Sequence, residues 1–123
     1  MGTKLTVDAS QRLVVVTFEG PVDMEERERI DALILAHPDF DPSFSEIIDC
    51  RLVTRSNVSA DTIRAASRRE GIFNPTATKV VVAPQDYVFG LARMGQALAE
   101  QTTPNVVVVR TMAEALEILS KVK

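Results

Sequence analysis

The 123-residue sequence has one cysteine, one histidine and no tryptophan, and each scarcity excludes a class of chemistry. A single cysteine, Cys50, cannot form an intrachain disulfide framework, and it is typical of a reducing compartment. The single histidine, His37, precedes a proline, so we interpret it as a helix-end residue and not as a base or ligand. The sequence also contains no glycine-rich phosphate loop, dinucleotide fingerprint or metal-ligand spacing. We therefore expect no enzymatic activity, no catalytic residues, no cofactor and no metal.

Long apolar runs are absent as well. No run approaches the roughly 20 residues that a membrane-spanning helix needs, and no charged-then-apolar signal segment opens the chain. A hydrophobic content of 46% with 25% charged residues is ordinary for a globular domain. We expect one domain over residues 1–123 in the bacterial cytoplasm, with peripheral membrane association as the alternative.

The net charge of −3 is unevenly distributed. Residues 19–49 hold ten acidic and two basic side chains, whereas residues 51–69 hold five arginines and one aspartate. One interpretation is two solvated surfaces; the other is that the arginines bind an anionic ligand or an acidic partner surface. A pI of about 5.1 and a basic stretch without aromatic residues argue against a nucleic-acid partner.

Hydrophobic periodicity predicts an α/β domain with the order ββαβαβαβα. The first two strands flank a four-residue reversal at residues 8–11 and should form an antiparallel hairpin, and Gly20-Pro21 should end the second strand. Alternation of the later strands with helices predicts parallel pairing, so we expect a mostly parallel five-stranded sheet with one antiparallel N-terminal strand and four helices. The strand order stays open. The predicted strands cover residues 4–7, 12–19, 46–51, 79–83 and 105–110, and the predicted helices cover 23–36, 59–70, 86–101 and 111–122.

Helix starts carry recognisable capping residues. Asp23 should cap the first helix, Asp86 the third, and Thr111 with Glu114 forms a capping box for the last. Apolar residues at helical spacing predict which positions face the core. These positions are Ile30, Leu33, Ile34 and His37 in the first helix, and Met112, Ala115, Leu116 and Leu119 in the last.

The carboxyl ends of parallel strands meet at one edge of the sheet, where ligands gather in open α/β folds. This rule places four segments at that edge, residues 19–21, 49–59, 83–87 and 110–111, and three of them lead directly into helix N-termini, which favour anions. We therefore predict a ligand or partner edge at these positions. Its candidate residues are Asp49, Arg51, Arg55, Ser56, Ser59, Arg64, Arg68, Asp86 and Tyr87.

The stretch from Lys79 to Gln101 combines a valine-rich strand, a turn at Pro84 and a helix with few polar positions. Such a helix lacks a broad polar face for contact with solvent, so one sheet surface cannot cover all its apolar side chains. We predict that neighbouring helices, a second subunit in a homodimer, or a lipid or membrane surface covers them. The candidate apolar face comprises Val88, Phe89, Leu91, Met94 and Leu98.

Four segments, LVVVTFEGPVDMEE, EIIDCRLVTRSNVS, KVVVAPQDYVFGLARMGQALAE and VVVVRTMAEALEIL, cover most of residues 12–119. Through them the chain resembles the SpoIIAA-like proteins, small bacterial relatives of the STAS domain with a fold similar to SEC14 (CRAL-TRIO) lipid carriers. The resemblance implies a single STAS-like domain that acts without catalysis, through regulatory protein–protein interaction. The alternative it implies is binding of a small hydrophobic ligand such as a lipid, or membrane-surface association through the 87–98 helix.

One family motif departs from its pattern here. Sporulation-type STAS antagonists carry an Asp-Ser-Ser-Gly turn in which one serine is phosphorylated by a partner kinase. The corresponding residues of this chain are Asn57, Val58, Ser59 and Ala60, so the phosphoacceptor position falls on a valine. We therefore do not expect phosphoregulation of the antagonist type, although a one-residue slip would offer Ser56 or Ser59.

Overall fold

In the computed structural model, which describes residues 2–56 and 71–122, the chain folds into a five-stranded sheet with helices on both faces. This confirms the predicted α/β class and the mixed sheet. The predicted helix over residues 59–70 lies outside the described residues, which contain three helices. The elements are β1 (Lys4–Asp8), β2 (Leu13–Val22), α1 (Met24–Ala36), β3 (Ser45–Ser56), β4 (Lys79–Val82), α2 (Asp86–Leu98), β5 (Val106–Val109) and α3 (Met112–Ser120).

The strands lie in the order β1-β2-β3-β4-β5, so spatial neighbours are also neighbours in sequence. The β1–β2 pair is antiparallel, and the other three pairs are parallel. The reversal between β1 and β2 is held by Asp8, whose Oδ1 accepts hydrogen bonds from the Ser10 N–H at 2.9 Å and the Ser10 hydroxyl at 2.6 Å. Parallel pairing of β2 to β5 brings their four carboxyl ends to one edge.

Successive side chains of the strands point to opposite faces of the sheet and belong to two separate hydrophobic cores. The first lies between the sheet and α1, and the second lies between the sheet and α3. The first core includes Val14, Val16, Phe18, Ile30, Ile34, Phe44, Cys50, Val53 and Phe73. The second core comprises Ile47, Val80, Val82, Val109, Ala115 and Leu119. The chain is thus layered helix–sheet–helix, with valine the main strand residue on both sides.

Strands β2 and β3 are longer than predicted. Gly20-Pro21 does not end β2, because Gly20 adopts a positive φ of 79° at a register shift and the strand continues to Val22. Pairing with β1 stops at Thr17, so the missing N–H of Pro21 is not needed on that side. Strand β3 runs on in parallel to Ser56, five residues beyond the predicted end at Arg51.

The helix caps are as predicted for two helices. Asp23 accepts a hydrogen bond from the Glu26 N–H at 2.9 Å, and Thr111 and Glu114 make a reciprocal capping box. Ile30, Ile34, Ala115 and Leu119 are buried as predicted.

Two leucines predicted to face the core are instead exposed. Leu33 and Leu116 lie on the flanks of the buried stripes of α1 and α3. The helices rest on the sheet through narrow stripes centred on residues four apart, Ile30 with Ile34 and Ala115 with Leu119, so residues to the side of each pair stay in solvent. His37 is the C-cap of α1, and its Nδ1 accepts a hydrogen bond from the Asp39 N–H at 3.1 Å.

Candidate functional site

Gln85 joins the turn after β4 to the end of β3. Its side-chain Nε2 donates hydrogen bonds to the carbonyl oxygens of Val53 at 3.0 Å and Cys50 at 3.1 Å. Gln85 therefore joins the described part of the predicted edge segment 49–59 to the predicted edge segment 83–87, at the carboxyl ends of their strands. Gln85 also occupies the N-cap position of α2 without a side-chain capping bond, so the prediction that Asp86 is the N-cap was wrong. The Gln85 side-chain amide donates to carbonyl oxygens of β3 and makes no capping hydrogen bond to α2.

Asp49 and Arg51 form the buried part of this edge. The Asp49 side chain is almost wholly buried and accepts three hydrogen bonds from Arg51: from its N–H at 3.0 Å, its Nε at 2.9 Å and its Nη2 at 2.8 Å. The Thr17 hydroxyl adds a longer contact of 3.5 Å. Burial opposes the charged form of Asp49, but these hydrogen bonds outweigh it and hold its pKa below the usual value. Such a carboxylate is a structural anchor and a poor general base.

Asp86 and Arg110 form the exposed part of the edge. Nη1 of Arg110 donates to Oδ1 of Asp86 at 2.7 Å and to the carbonyl oxygen of Pro84 at 3.1 Å. The guanidinium carbon lies 3.9 Å from the centroid of the Phe89 ring, within the range of a cation–π contact. Asp86 is the first residue of α2, where a carboxylate complements the positive end of the helix.

Two exposed side chains directly follow members of these ion pairs in the sequence: Leu52 follows Arg51, and Tyr87 follows Asp86. Leu52 is 51% exposed and Tyr87 is 59% exposed. Leu52 follows Arg51 directly in β3, and Tyr87 stands two residues after Gln85, whose amide also lies 3.4 Å from the Arg51 carbonyl oxygen. We call the set Arg51, Leu52, Tyr87 and Arg110 the carboxyl-edge patch.

Only some of the predicted edge residues belong to this patch. Ser59, Arg64 and Arg68 lie outside the described residues. Arg55 and Ser56 are the last two residues of β3, where they pair with Pro21 and Val22 of β2. Of the arginines in 51–69, Arg51 is the one whose side chain is described, and it is ion-paired with Asp49 at 2.8 Å.

Four contributing residues were not among the sequence candidates: Thr17, Leu52, Gln85 and Arg110. Leu52, Gln85 and Arg110 lie within segments 49–59, 83–87 and 110–111, which the parallel-strand rule placed at this edge, although they were not singled out as candidates. Nothing in the sequence marks Thr17, since its contact with Asp49 depends on which strands are neighbours.

The apolar face of α2 is incompletely covered. No residue of α2 is fully buried; Val88, Phe89, Leu91 and Met94 are half-buried and Leu98 is exposed. Val88 packs against the first core, which lies between the sheet and α1. Near the other end, Gln96 Nε2 donates to the carbonyl oxygen of Val106 at 2.7 Å, which holds the helix along β5.

A small pocket of about 180 Å³ lies between the start of α1 and Val88 of α2, with Cys50 in its wall. This volume is below the roughly 300–1,000 Å³ of most small-molecule sites. Burial, with repulsion from Asp49, raises the pKa of the Cys50 thiol to about 12, so the thiol stays protonated and unreactive at neutral pH.

Within residues 2–56 and 71–122, no three His, Cys, Asp or Glu side chains are grouped so that they could hold a metal ion. The same residues include no helix with the length and apolar character needed to cross a membrane. No protein-family model matches this sequence, and a search of curated proteins finds no match.

Proposed function

We propose that the chain is a non-enzymatic, SpoIIAA-like module of the STAS class that acts by binding another protein through its carboxyl edge. The observation that carries the proposal is that Leu52 and Tyr87 are exposed and directly follow Arg51 and Asp86, the ion-pair partner of Arg110. Aromatic residues and arginines are the side chains most enriched in the centres of protein interfaces. An exposed leucine beside them supplies apolar area.

The rigidity of the patch supports the same function. The Arg51 guanidinium is held by two hydrogen bonds to the buried Asp49 carboxylate, and that of Arg110 is held by Asp86, the Pro84 carbonyl and the Phe89 ring. Immobilising a free arginine or tyrosine on binding costs about 0.5–1.5 kcal/mol. Side chains that are already fixed avoid most of that cost.

The preference for an acidic partner is a separate part of the proposal. The two described arginines of the patch are each paired with an aspartate, so their charges are balanced locally. An excess of positive charge would come from the other arginines of residues 51–69, which include Arg64 and Arg68. Replacing these two with glutamate should abolish binding, and binding by the unmodified chain should weaken as salt is raised. Unchanged affinity would contradict the acidic-partner part alone.

The interaction itself is tested with a double variant, Leu52→Ser and Tyr87→Ser. Both side chains are more than half exposed, so the change should leave folding intact. Affinity capture from the native host would identify proteins retained by the unmodified chain, and titration calorimetry would then measure each purified candidate. We expect affinity for the true partner to fall by about 2 kcal/mol or more, the loss typical of interface anchors.

Leu35→Ser provides the matched control, because Leu35 is an equally exposed leucine on α1. It should bind like the unmodified chain. Equal affinity of the double variant and the control for every purified candidate would contradict the proposed edge.

A second candidate function is association with a membrane surface or a hydrophobic ligand through α2. The specific observation is that none of its thirteen residues is buried, although five of them form an apolar face. Co-sedimentation with liposomes should be strong for the unmodified chain and lost in Phe89→Asp, with Leu35→Asp as control. A homodimer that covers the same face would instead appear as a doubled mass in native mass spectrometry, and absence of lipid association would exclude the membrane alternative.

A further inference from the structure

A second concave site lies at the opposite edge of the sheet, where β2 and β3 begin. A groove of about 600 Å³ separates the β1–β2 turn from the last turn of α3. This volume is in the range of sites that hold small molecules. Its apolar wall is formed by Leu13, Leu116, Leu119 and Val122, and four serines line the rest together with Gln11 and Arg12. No described residue of the carboxyl-edge patch or of α2 takes part.

Arg12 stands at this groove in an unusual backbone conformation. Its φ is 54°, and it is the one non-glycine residue with a positive φ among those described. The turn requires this conformation: the Arg12 N–H donates to the Ala9 carbonyl at 3.3 Å, and its own carbonyl accepts from Ser45 at 3.0 Å. Glycine or asparagine would adopt it with less strain. Strain tolerated at one residue of a groove points to a role for its side chain.

The guanidinium of Arg12 is fixed in place. It donates to the Ser43 hydroxyl, which in turn donates to Asp41 at 2.6 Å, and its central carbon lies 5.5 Å from the centroid of the Phe44 ring. Asp41 also accepts a hydrogen bond from the Ser43 N–H at 2.8 Å, so its carboxylate is bound by both polar groups of Ser43. A guanidinium has five N–H donors, and the bond to Ser43 uses one of them.

Two of the apolar residues of the groove, Leu116 and Val122, are more than half exposed, with Leu119 buried beneath them. Three of the four serine hydroxyls already donate their one proton: Ser10 to Asp8 at 2.6 Å, Ser43 to Asp41 at 2.6 Å and Ser120 to the Glu117 carbonyl at 2.7 Å. The site therefore joins an exposed apolar wall to the Arg12 guanidinium and the Ser45 hydroxyl. This arrangement suits a molecule with an apolar chain and a negatively charged head. Carboxylates match the planar guanidinium, which can donate two parallel hydrogen bonds to them.

We infer that this groove binds a monocarboxylate with an aliphatic chain, its carboxylate on Arg12 and the Ser45 hydroxyl and its chain on Leu13, Leu116 and Val122. The site is separate from the proposed interaction edge, so the chain can bind a small molecule at one edge and a protein at the other. The inference does not depend on the proposed function.

Octanoate serves as the probe, with binding followed by titration calorimetry and by amide chemical shifts of the isotope-labelled chain. We expect saturable binding, with shift changes confined to the β1–β2 turn, residues 43–45 and the end of α3. Two variants test the two halves of the site. Arg12→Gly removes the cation and relieves the backbone strain, so the chain should stay folded while octanoate affinity falls about tenfold or more. Leu116→Asp should cause a comparable loss.

Three controls keep the result specific. Arg12→Lys retains the charge without the planar fork and should bind with intermediate affinity. Leu35→Asp changes an exposed leucine on α1 that does not line the groove, and should bind normally. The alcohol 1-octanol lacks the carboxylate and should bind at least tenfold more weakly than octanoate. The inference is overturned by non-saturable binding, by equal affinity of Arg12→Gly and the unmodified chain, or by octanol binding as tightly as octanoate.

Discussion

Nη2 of Arg27 lies 3.6 Å from Oε1 of Glu46, a carboxylate that is fully buried between α1 and the sheet. Neither oxygen of Glu46 accepts a hydrogen bond from the residues that the structure describes, and Arg27 also contacts Asp31 at 3.5 Å. Lys79 is the register partner of Glu46 on β4, and its ammonium lies 4.8 Å from the centroid of the Phe73 ring. A cluster of charged side chains therefore lies within the first core, where opposite charges offset each other's cost of burial.

We predict that Arg27→Met lowers the free energy of unfolding by about 3–5 kcal/mol, because it leaves the Glu46 carboxylate buried without its closest cation. Urea denaturation monitored by circular dichroism measures the loss. The double variant Arg27→Met with Glu46→Gln removes both charges and should recover part of it. A loss below about 1 kcal/mol in the single variant would mean that Lys79 alone compensates Glu46.

Gln85 gives a second prediction. Gln85→Leu removes the donor to the Cys50 and Val53 carbonyls, and should cost about 1–3 kcal/mol of folding free energy because those acceptors lose their partner. It should also loosen the start of α2, which amide hydrogen exchange would detect as faster exchange after Pro84. Gln11→Leu, at an exposed position, is the control and should be neutral. Equal stability of both variants would show that the Gln85 bridge contributes nothing.

The lowered pKa of Asp49 predicts a pH dependence with a definite sign. The unfolded chain takes up a proton at this carboxyl at higher pH than the folded chain does, near the reference value of 3.8. Stability from Asp49 is therefore present above that pH and is lost as the pH falls through the lower folded pKa. Between about pH 6 and pH 3, the unmodified chain should lose more unfolding free energy than Asp49→Asn. Parallel pH profiles of the two chains would contradict this assignment.

Cys50 should be inert in the folded chain. Its burial and raised pKa of about 12 leave almost no thiolate at neutral pH. We expect a thiol-specific aromatic disulfide reagent to modify it only when the chain unfolds, with a rate that rises with denaturant. Complete modification in urea is the internal control. Rapid modification without denaturant would show that the pocket beside Val88 opens under native conditions.

Thr111→Ala should cost about 1 kcal/mol, since it removes the hydroxyl that accepts the Glu114 N–H at 3.1 Å. The thermal midpoint and urea unfolding both measure this loss. Thr102→Ala is a matched control, because the Thr102 hydroxyl donates to the Ala99 carbonyl in an exposed turn. We expect a smaller effect there, and the same loss at both positions would show that the cap adds nothing.

Strand and helix types could be predicted well from local signals. The valine runs before Pro84 and Arg110 are buried strands, and the caps at Asp23 and Thr111 form as predicted. These features depend on residues close in sequence, so periodicity and capping chemistry suffice to find them. The candidate edge followed from a topological rule for parallel strands, which also needs no side-chain detail.

The misjudged features depend on distant neighbours. Glu46 and Asp49 belong to a strand whose charges look solvent-facing in the sequence, and only the positions of Arg27 and Arg51 make their burial tolerable. Gly20-Pro21 is a strong turn signal, but β2 continues through it because β3 extends alongside and pairs with these residues. Strand order could not be predicted, since alternation of apolar residues says which face is buried and nothing about which strand lies alongside.

The strand order also bears on how the chain can be synthesised. Each strand from β2 to β5 pairs with the one translated just before it, so the sheet can extend by one strand at a time as the chain leaves the ribosome. Helix α3 is translated after every strand. Until it emerges, Ile47, Val80 and Val82 are covered by none of the described helices, so a nascent chain halted after β5 would expose an apolar, valine-rich surface that is prone to aggregation.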